Sequence, residues 1–362
     1  MVRVKEQKTA NGNFSYYKLI HDLIMKAKIL QILIIGIVVF TFSCRDSQKD
    51  IAEETQKPIP VIFDTDCGPD YDDVGALAIL HAFADSGYID ILATMSSNKH
   101  ELVAPSIDVI NTYFGRPDIP IGAPKSDGVN ISSSQKWPDS LIVKYPHDLM
   151  STGEAPDAVK LYRKILSEQE DTTVTIISVG FLTNLGNLIM SEPDELSPLS
   201  GKKLVEKKVK RWVCMGGKFP EGKEFNIRLD SLKSKIAIEQ WPTEIIFTGF
   251  EIGEQIKTGL RLIEMPCENN PVKDVFTISI PQSEEDKNGR MSWDQTAVLI
   301  AVKGYEKYFN INTGRFVTFE DGHNEWEDSE NGPHAYIVAK MPILQITKLI
   351  EDLMMHVTTV AK

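Results

Sequence analysis

The sequence has few cysteines and no run of positive charge. Its four cysteines lie far apart in 362 residues and form neither a CxxC pair nor the framework of a disulfide-rich domain. The formal net charge is -12, which argues against a nucleic-acid-binding surface. No segment repeats, and the hydrophobic content of 42% is ordinary for a globular protein.

A long apolar run is also missing, because the longest one covers only residues 29–42 and is too short to span a bilayer comfortably. Lys26 and Lys28 precede this run, and Ser43 and Cys44 follow it. A basic region, an apolar region and a small residue in this order are typical of a secretory signal. A plain membrane anchor is the alternative interpretation.

Cys44, directly after this segment, resembles the lipidated first residue of a bacterial lipoprotein. Thr41 departs from that motif, which prefers a larger aliphatic side chain at this position. On this resemblance residues 1–43 are a signal segment, for which Met25 would be a start of normal proportions. Residues 44–58 are polar and without periodicity, which predicts a tether. Residues 59–362 are then a single domain, exported and lipid-anchored to a bacterial membrane, facing the periplasm or the exterior.

Beyond the tether, short β-branched runs alternate with helical patterns. Strands are predicted at 59–64, 89–95, 173–180, 209–217, 243–249, 315–319 and 335–340, and helices at 72–85, 102–114, 231–241 and 342–355. This alternation favours an α/β fold, a doubly wound and mostly parallel sheet with helices on both faces. Ligands of such sheets bind at the carboxyl ends of the strands. The segment 125–157 has no clear period and is either a lid or an irregular surface segment.

Five aspartates lie within ten positions after the first predicted strand, namely Asp64, Asp66, Asp70, Asp72 and Asp73. Asp72 and Asp73 open a predicted helix, whose dipole and free N–H groups tolerate carboxylates. That capping role does not explain the other three on the same turn. A hard divalent cation would, because Ca²⁺ and Mg²⁺ take carboxylate and carbonyl oxygens and cancel the repulsion.

Two other interpretations of this cluster fit less well. An EF-hand fails because Pro69 and Gly75 occupy the sixth and twelfth positions counted from Asp64, where that loop has Gly and Glu. The segment DTD also resembles haloacid-dehalogenase-like phosphotransferases, in which Asp64 would be the nucleophile. Gly68 departs from the Thr or Val of that motif, and neither its essential lysine nor its downstream acidic pair is evident.

Four segments, in the same order along the chain, resemble the inosine–uridine nucleoside hydrolases. DTDCGPDYDDVGAL (64–77) resembles the signature DTDxGxDDxxAL with two extra residues, and SVGFLTNLGNLI (178–189) resembles the GPLTN segment with Phe181 for Pro. MGGKFPEGKEFNIRLD (215–230) and SWDQTAVLIAV (292–302) resemble the later segments. The resemblance covers nearly all of the chain after the tether and implies a Rossmann-like nucleoside hydrolase fold.

What the resemblance implies is a Ca²⁺ ion that holds a water beside the anomeric carbon of a nucleoside. Carried over by position, its protein ligands would be Asp66, Asp73, the backbone carbonyl of Thr183 and Asp294. All of these are hard oxygen donors, as Ca²⁺ requires. Asp66 would also accept the proton of the water as general base.

The resemblance implies that the ribose hydroxyls are bound by Asp72, Asn98, Glu224 and Asn226. Each of these residue types can hydrogen-bond to a hydroxyl. The two extra residues of the first segment leave open whether Asp70 or Asp72 takes this role, and keeping the aspartate pair directly before the helix favours Asp72.

The leaving base needs a binding surface and an acid. Trp293 stands where other members have His, which resembles the purine-preferring branch with an indole stacked on the base, and core packing is the alternative. His323 and His334 are candidate acids in a late loop. Trp137 and His147, in the segment 125–157, are weaker candidates.

The sequence thus predicts an exported enzyme that hydrolyses the N-glycosidic bond of ribonucleosides, with purines favoured. Its partners are a small-molecule nucleoside and the membrane through the lipid of Cys44, without nucleic acid. Family resemblance also suggests a homodimer or homotetramer. The alternatives are a hydrolase of another ribosyl or glycosyl compound and a lipoprotein that binds ribosides without turning them over.

Overall fold

The computed structural model describes residues 20, 21, 23–26 and 57–358. The chain divides into two compact units, Met1–Gln56 and Lys57–Lys362. In the first unit the described residues are helical and exposed. Cys44 and the expected cleavage site lie outside the described residues, so lipidation and export stay predictions. Within the described ranges, no helix has the length and apolar character needed to cross a bilayer.

The second unit is built on one large sheet. Its strands and those of a small two-stranded sheet are β1 (Ile59–Thr65), β2 (Ile89–Ser96), β3 (Ile121–Gly122), β4 (Val174–Ser178), β5 (Val209–Cys214), β6 (Glu221–Lys223), β7 (Glu244–Phe247), β8 (Lys257–Thr258), β9 (Arg290–Met291), β10 (Phe309–Thr318), β11 (His323–Asp328) and β12 (His334–Ala339). The large sheet has the order β3-β2-β1-β4-β5-β7-β12-β10-β11-β6, and β8 pairs with β9.

The helices of the second unit connect and cover these strands. They are α1 (Asp72–Asp85), α2 (Val103–Tyr113), α3 (Trp137–Lys144), α4 (Ala158–Glu168), α5 (Thr183–Met190), α6 (Gly201–Lys208), α7 (Phe225–Leu229), α8 (Ser231–Gln240), α9 (Phe250–Gly253), α10 (Leu260–Ile263), α11 (Pro271–Ser279), α12 (Trp293–Lys303) and α13 (Ile343–Met354). Two short 3₁₀ turns cover Ile280–Gln282 and Glu284–Asp286.

The apolar residues of β1 are buried on both faces of the sheet. Val61 and Phe63 pack into the cluster that includes α1, α12 and α13, and Ile62 packs into the cluster that includes α4, α5 and α8. Successive side chains of a strand point to opposite faces, so a continuous apolar run is what a sheet covered on both sides requires. The predicted doubly wound, mostly parallel α/β fold is therefore confirmed.

The far edge of the sheet differs from the prediction. β10 begins six residues before the predicted start at 315 and runs antiparallel to both β12 and β11. β11, with the sequence HNEWED, is not predicted at all. Both strands leave residues exposed along their length, so neither carries the apolar run that marks the central strands.

The strand order places a functional crevice at the centre of the sheet. β1 pairs in parallel with β2 on one side and with β4 on the other, so the chain winds outward in both directions from the β1–β4 pair. Such a switch point leaves a crevice beyond the carboxyl ends of the two strands, where ligands bind. The aspartate turn follows β1 directly at this point.

Candidate active site

A cavity of about 430 Å³ lies beyond the carboxyl ends of β1, β4 and β5, because Asp66, Val179 and Met215 directly follow these strands and line it. The predicted site residues in its lining are Asp66, Asp70, Asp72, Asp73, Glu224, Asn226, Trp293 and Asp294. The structure thus brings residues from all four sequence segments to one place, with Val179 as the contribution of the second segment.

Three buried carboxylates form the acidic centre of the cavity. Asp72 and Asp73 begin α1, Asp294 lies in the first turn of α12, and one oxygen from each lies within 4.8 Å of the others. One oxygen of Asp73 accepts a hydrogen bond from the Thr65 hydroxyl, and its other oxygen, also buried, has no partner among the described residues. A buried carboxylate oxygen without a donor, among other carboxylates, fits a hard divalent cation.

The electrostatics of these carboxylates support the same interpretation. Burial raises the pKa of Asp66, Asp73 and Asp294 well above the ordinary value, and neighbouring carboxylates raise all three further. Negative charges buried together disfavour ionisation, and a bound divalent cation reverses that effect. The residues present therefore fit a metal ion.

The loop after β4 lies directly against the aspartate turn. A Cβ atom on Gly180 would lie 2.3 Å from the backbone nitrogen of Asp66, so only glycine allows this approach. Thr183 begins α5, and its hydroxyl donates to the carboxylate of Asp230. The proposal that the Thr183 carbonyl is a ligand stays a prediction.

Two buried polar side chains of the lining, Glu224 and Asn226, come from the segment after β6. Glu224 caps α7 and accepts hydrogen bonds from the backbone N–H groups of Asn226 (2.9 Å), Ile227 (3.1 Å) and Gly217 (3.3 Å). Burial raises its pKa to about 7, although these hydrogen bonds oppose the shift. The Asn226 amide donates to the carbonyl of Val179 at 3.0 Å. Both side chains are fixed by the backbone before any ligand binds.

Asn98 occupies a different position from the one expected for a ribose ligand. Its amide nitrogen donates to the carbonyls of Asp66 (3.1 Å) and Ile131 (2.9 Å). Its carbonyl oxygen accepts from the backbone N–H groups of His100 and Ile131, both at 3.1 Å. The side chain is fully buried and is not in the cavity lining. It ties the aspartate turn to the segment that carries Ser132 and Ser134 into the lining.

Three of the weaker candidates also lie outside the lining. Asp64 accepts hydrogen bonds from the Tyr162 hydroxyl at 2.8 Å and the Asn184 amide at 3.1 Å, and burial raises its pKa to about 7. His334 accepts from the backbone of Phe316 at 3.0 Å, and burial lowers its pKa to about 4. His323 lies on β11, between β10 and the edge strand β6. Their proposed chemical roles stay untested.

The region 125–157 is partly a wall of the cavity and partly core. It contains α3, whose first residue, Trp137, is fully buried in the hydrophobic core. The ring of His147 hydrogen-bonds to the backbone carbonyl of Tyr145 at 2.9 Å. Neither Trp137 nor His147 lines the cavity, whereas Ile131, Ser132 and Ser134 do.

Trp293 lies at the mouth of the cavity with a second aromatic residue. The indole N–H donates to the backbone carbonyl of Phe250 at 2.8 Å, and the two rings lie 5.2 Å apart at an angle of 32°. Phe225 and Met215 also line the cavity. A lining that combines aromatic faces with carboxylates suits a ligand with an aromatic part and a polyhydroxylated part.

Arg290 also lines the cavity, although no sequence motif identified it. Arg290 is 8% exposed, and its guanidinium forms ion pairs with Asp70 and Asp72. Its position four residues before Asp294 was a usable signal, because a dense group of carboxylates needs a counter-charge.

Comparisons with known proteins agree with this geometry. The sequence profile of the family described as inosine-uridine preferring nucleoside hydrolase matches residues 61–341. Curated proteins of that name from Leishmania major and Crithidia fasciculata are each 24% identical over 201 residues, which is 52% of this chain. The chain spans 60% of the length of each of these two relatives.

Solved structures show the same fold at low sequence identity. A plant nucleoside hydrolase superimposes with a TM-score of 0.62 at 20% identity, over 82% of this chain and 99% of that one. An inosine-uridine preferring nucleoside hydrolase from Bacillus anthracis gives 0.61 at 18% identity, with the same coverage. A purine-preferring ribonucleoside hydrolase from Gardnerella vaginalis gives 0.59 at 14% identity, again with the same coverage.

Proposed function

The chain belongs to the inosine-uridine preferring nucleoside hydrolase family, and on that premise we propose that it hydrolyses the N-glycosidic bond of ribonucleosides. The observation that carries the proposal is the single cavity in which buried carboxylates, fixed polar groups and aromatic rings meet. Water would add to the anomeric carbon as the bond to the base breaks, which gives ribose and the free base.

The acidic centre prepares the attacking water. A bound divalent cation, with Ca²⁺ as our choice, would neutralise the carboxylates of Asp66, Asp73 and Asp294 and lower the pKa of water beside it. Asp66 follows β1 directly and would accept the proton from the water as general base. Burial and then the neighbouring carboxylates, Asp73 first, raise the pKa of Asp66, and a bound cation would oppose both effects and favour the ionised form.

The polar wall holds the sugar. Glu224 and Asn226 are fixed by backbone hydrogen bonds, and Asp72 is fixed on the other side of the cavity by an ion pair with Arg290. Hydrogen bonds from preorganised groups can favour a sugar that develops positive charge as the bond to the base breaks. Because these side chains are already ordered, little conformational entropy is lost when the sugar binds.

The aromatic end favours a purine. A purine presents a larger face than a pyrimidine to the ring of Trp293, which packs against Phe250 with ring centroids 5.2 Å apart. Stacking of a base on an aromatic ring contributes about 1–3 kcal/mol.

The test uses the protein with Cys44→Ser, so that no lipid is attached. It is incubated with inosine, adenosine, guanosine, uridine or cytidine, with and without a chelator, and base release is followed by chromatography. We expect release of purine bases that the chelator abolishes and that Asp66→Ala lowers at least about 100-fold. Asp108→Asn is the control, because Asp108 is equally buried but accepts hydrogen bonds from the backbone of residues 148 and 149 and from the Thr112 hydroxyl, none of which lines the cavity.

Two results would contradict the proposal. Release that survives both the chelator and Asp66→Ala would refute the metal-dependent mechanism. No release from any nucleoside, with Ca²⁺ still bound, would instead favour another glycosyl compound or a protein that binds ribosides without turnover.

A further inference from the structure

A single buried guanidinium holds three carboxylates at the edge of the acidic centre. Arg290 contacts one oxygen of Asp72 through Nη2 at 3.0 Å and through Nε at 3.3 Å. Nη2 also donates to Asp70, and Nη1 lies 3.8 Å from Asp286. A buried charge is tolerated only when it is paired, so these contacts define where the guanidinium lies.

The two residues that directly precede Asp72, where the first segment is longer than the family signature, belong to this arrangement. Asp70 pairs with Arg290, and Tyr71 places its ring 4.9 Å from the guanidinium carbon. The Tyr71 hydroxyl donates to Asp286 at 2.8 Å. The longer turn thus brings with it the side chains that bind Arg290 and Asp286.

Asp72 is the carboxylate that could either bind the cation with Asp73 and Asp294 or pair with Arg290. The oxygens of Asp72, Asp73 and Asp294 are close enough to share one ion. Arg290 pairs with Asp72 and makes no ion pair with Asp73 or Asp294 among the described residues. A cation placed at Asp72 would lie beside a fixed positive charge that it cannot displace, and like charges repel strongly at short range.

We propose that Arg290 is a positioning residue that keeps Asp72 out of the ligand set of the divalent cation. The cation is then held by Asp73, Asp294 and Asp66, and Asp72 keeps its second oxygen for a hydroxyl of the substrate. That oxygen has one long contact, 3.4 Å from the backbone nitrogen of Asp294. This role rests on the proposed function for the substrate, whereas the choice of cation ligands is independent of it.

The test is calorimetric titration of the purified full-length protein with Ca²⁺, beside turnover of inosine. Arg290→Met removes the charge and frees Asp72 to join the cation, so we expect Ca²⁺ to bind at least tenfold tighter while turnover falls at least tenfold. Arg290→Lys keeps the charge but loses the two-pronged contact with Asp72, so Ca²⁺ affinity should stay within threefold while turnover falls. A purely structural role predicts the opposite sign, with weaker Ca²⁺ binding in Arg290→Met.

Arg163→Met is the matched control. Arg163 is 1% exposed and makes a two-pronged ion pair with Asp194, away from the cavity. Losing that arginine should leave both Ca²⁺ affinity and turnover unchanged. Tighter binding in this variant as well would show a general effect of net charge and overturn the proposal.

Asp72→Asn tests the ligand set directly, even if Arg290→Met does not fold. We expect its Ca²⁺ affinity to fall less than tenfold, against at least 100-fold for Asp73→Asn. Equal losses in the two variants would overturn the proposal. If no nucleoside is cleaved but the affinities follow this order, the proposed function fails and the assignment of cation ligands stands.

Discussion

Replacement of Trp293 by Ala tests the aromatic end of the cavity, where the structure allows the size of the effect to be worked out. The ring is half-buried, lies 5.2 Å from the ring of Phe250 and 5.2 Å from the guanidinium carbon of Arg290. Its N–H donates to the carbonyl of Phe250 at 2.8 Å, so the ring is held before a base arrives. Stacking worth about 1–3 kcal/mol corresponds to a loss of about 5- to 150-fold in kcat/KM for inosine.

Trp293→Phe separates the ring from its anchor. Phe keeps an aromatic face but loses the hydrogen bond to Phe250, which contributes about 0.5–1.5 kcal/mol to holding the ring. We therefore expect a loss of about 2- to 12-fold in kcat/KM for inosine, smaller than that of the Ala variant. Both losses should be smaller for uridine, because a pyrimidine covers less of the ring.

The assay is kcat/KM for inosine and uridine at saturating Ca²⁺, with Trp241→Phe as control. Trp241 also donates its indole N–H to a neighbour, the Thr243 hydroxyl at 3.0 Å, but it packs on Trp212 away from the cavity. An Ala variant with less than a threefold loss for inosine would refute the stacking argument. An equal loss for both nucleosides would refute the purine preference.

Three further predictions concern stability and geometry. Ca²⁺ at 100 times its Kd should raise the free energy of unfolding, measured in urea, by about 2.7 kcal/mol. Identical urea unfolding curves with Ca²⁺ and with a chelator would count against a bound cation. Burial lowers the pKa of His81 from 6.5 to about 3, so the stability that its neutral form contributes is present above pH 6.5 and is lost as the pH falls. The free energy of unfolding, measured in urea, should therefore fall by about 2 kcal/mol between pH 7 and pH 5. The same dependence on pH in His81→Gln would contradict this prediction. Gly180→Ala should lower turnover at least tenfold by displacing Asp66. Gly153→Ala is the control and should leave turnover unchanged, because the nearest neighbour of its Cβ would lie at 3.6 Å. Equal effects of the two substitutions would disprove the close-contact argument.

The centre of the fold could be predicted because local signals and tertiary demands agree there. The strand 59–65 is a buried apolar run, and the aspartate pair at 72 and 73 begins a helix as expected. Parallel strands bring their carboxyl ends to one edge of the sheet. The sequence alone therefore predicts that the residues after β1, β4 and β5 lie close together, even though their side-chain contacts are not known. The same logic fails at β10 and β11, where one face of each strand is exposed and the apolar pattern disappears.

Individual side-chain partners could not be predicted in the same way. The residue type of Asn98 suits a sugar hydroxyl, but all its hydrogen-bonding groups are used by backbone atoms of Asp66, His100 and Ile131. Ile131 is 33 residues away in the chain, within a segment that has no periodicity. A residue type gives the capacity to form hydrogen bonds, and only the tertiary structure decides which groups use that capacity.

The choice between Asp70 and Asp72 for the ribose changes once Arg290 is included. The sequence presents the two residues as alternatives, because either of them can be aligned with the same position of the family signature. In the structure both bind the same guanidinium, from a residue 218 positions after Asp72. The side chain of Asp70 is about 42% exposed and that of Asp72 about 2%. Asp70 therefore pairs with Arg290 from the solvent side, whereas Asp72 pairs with it inside the acidic centre. The longer turn therefore adds a carboxylate that helps to hold Arg290, which supports the proposal that Asp72 and not Asp70 contacts the sugar.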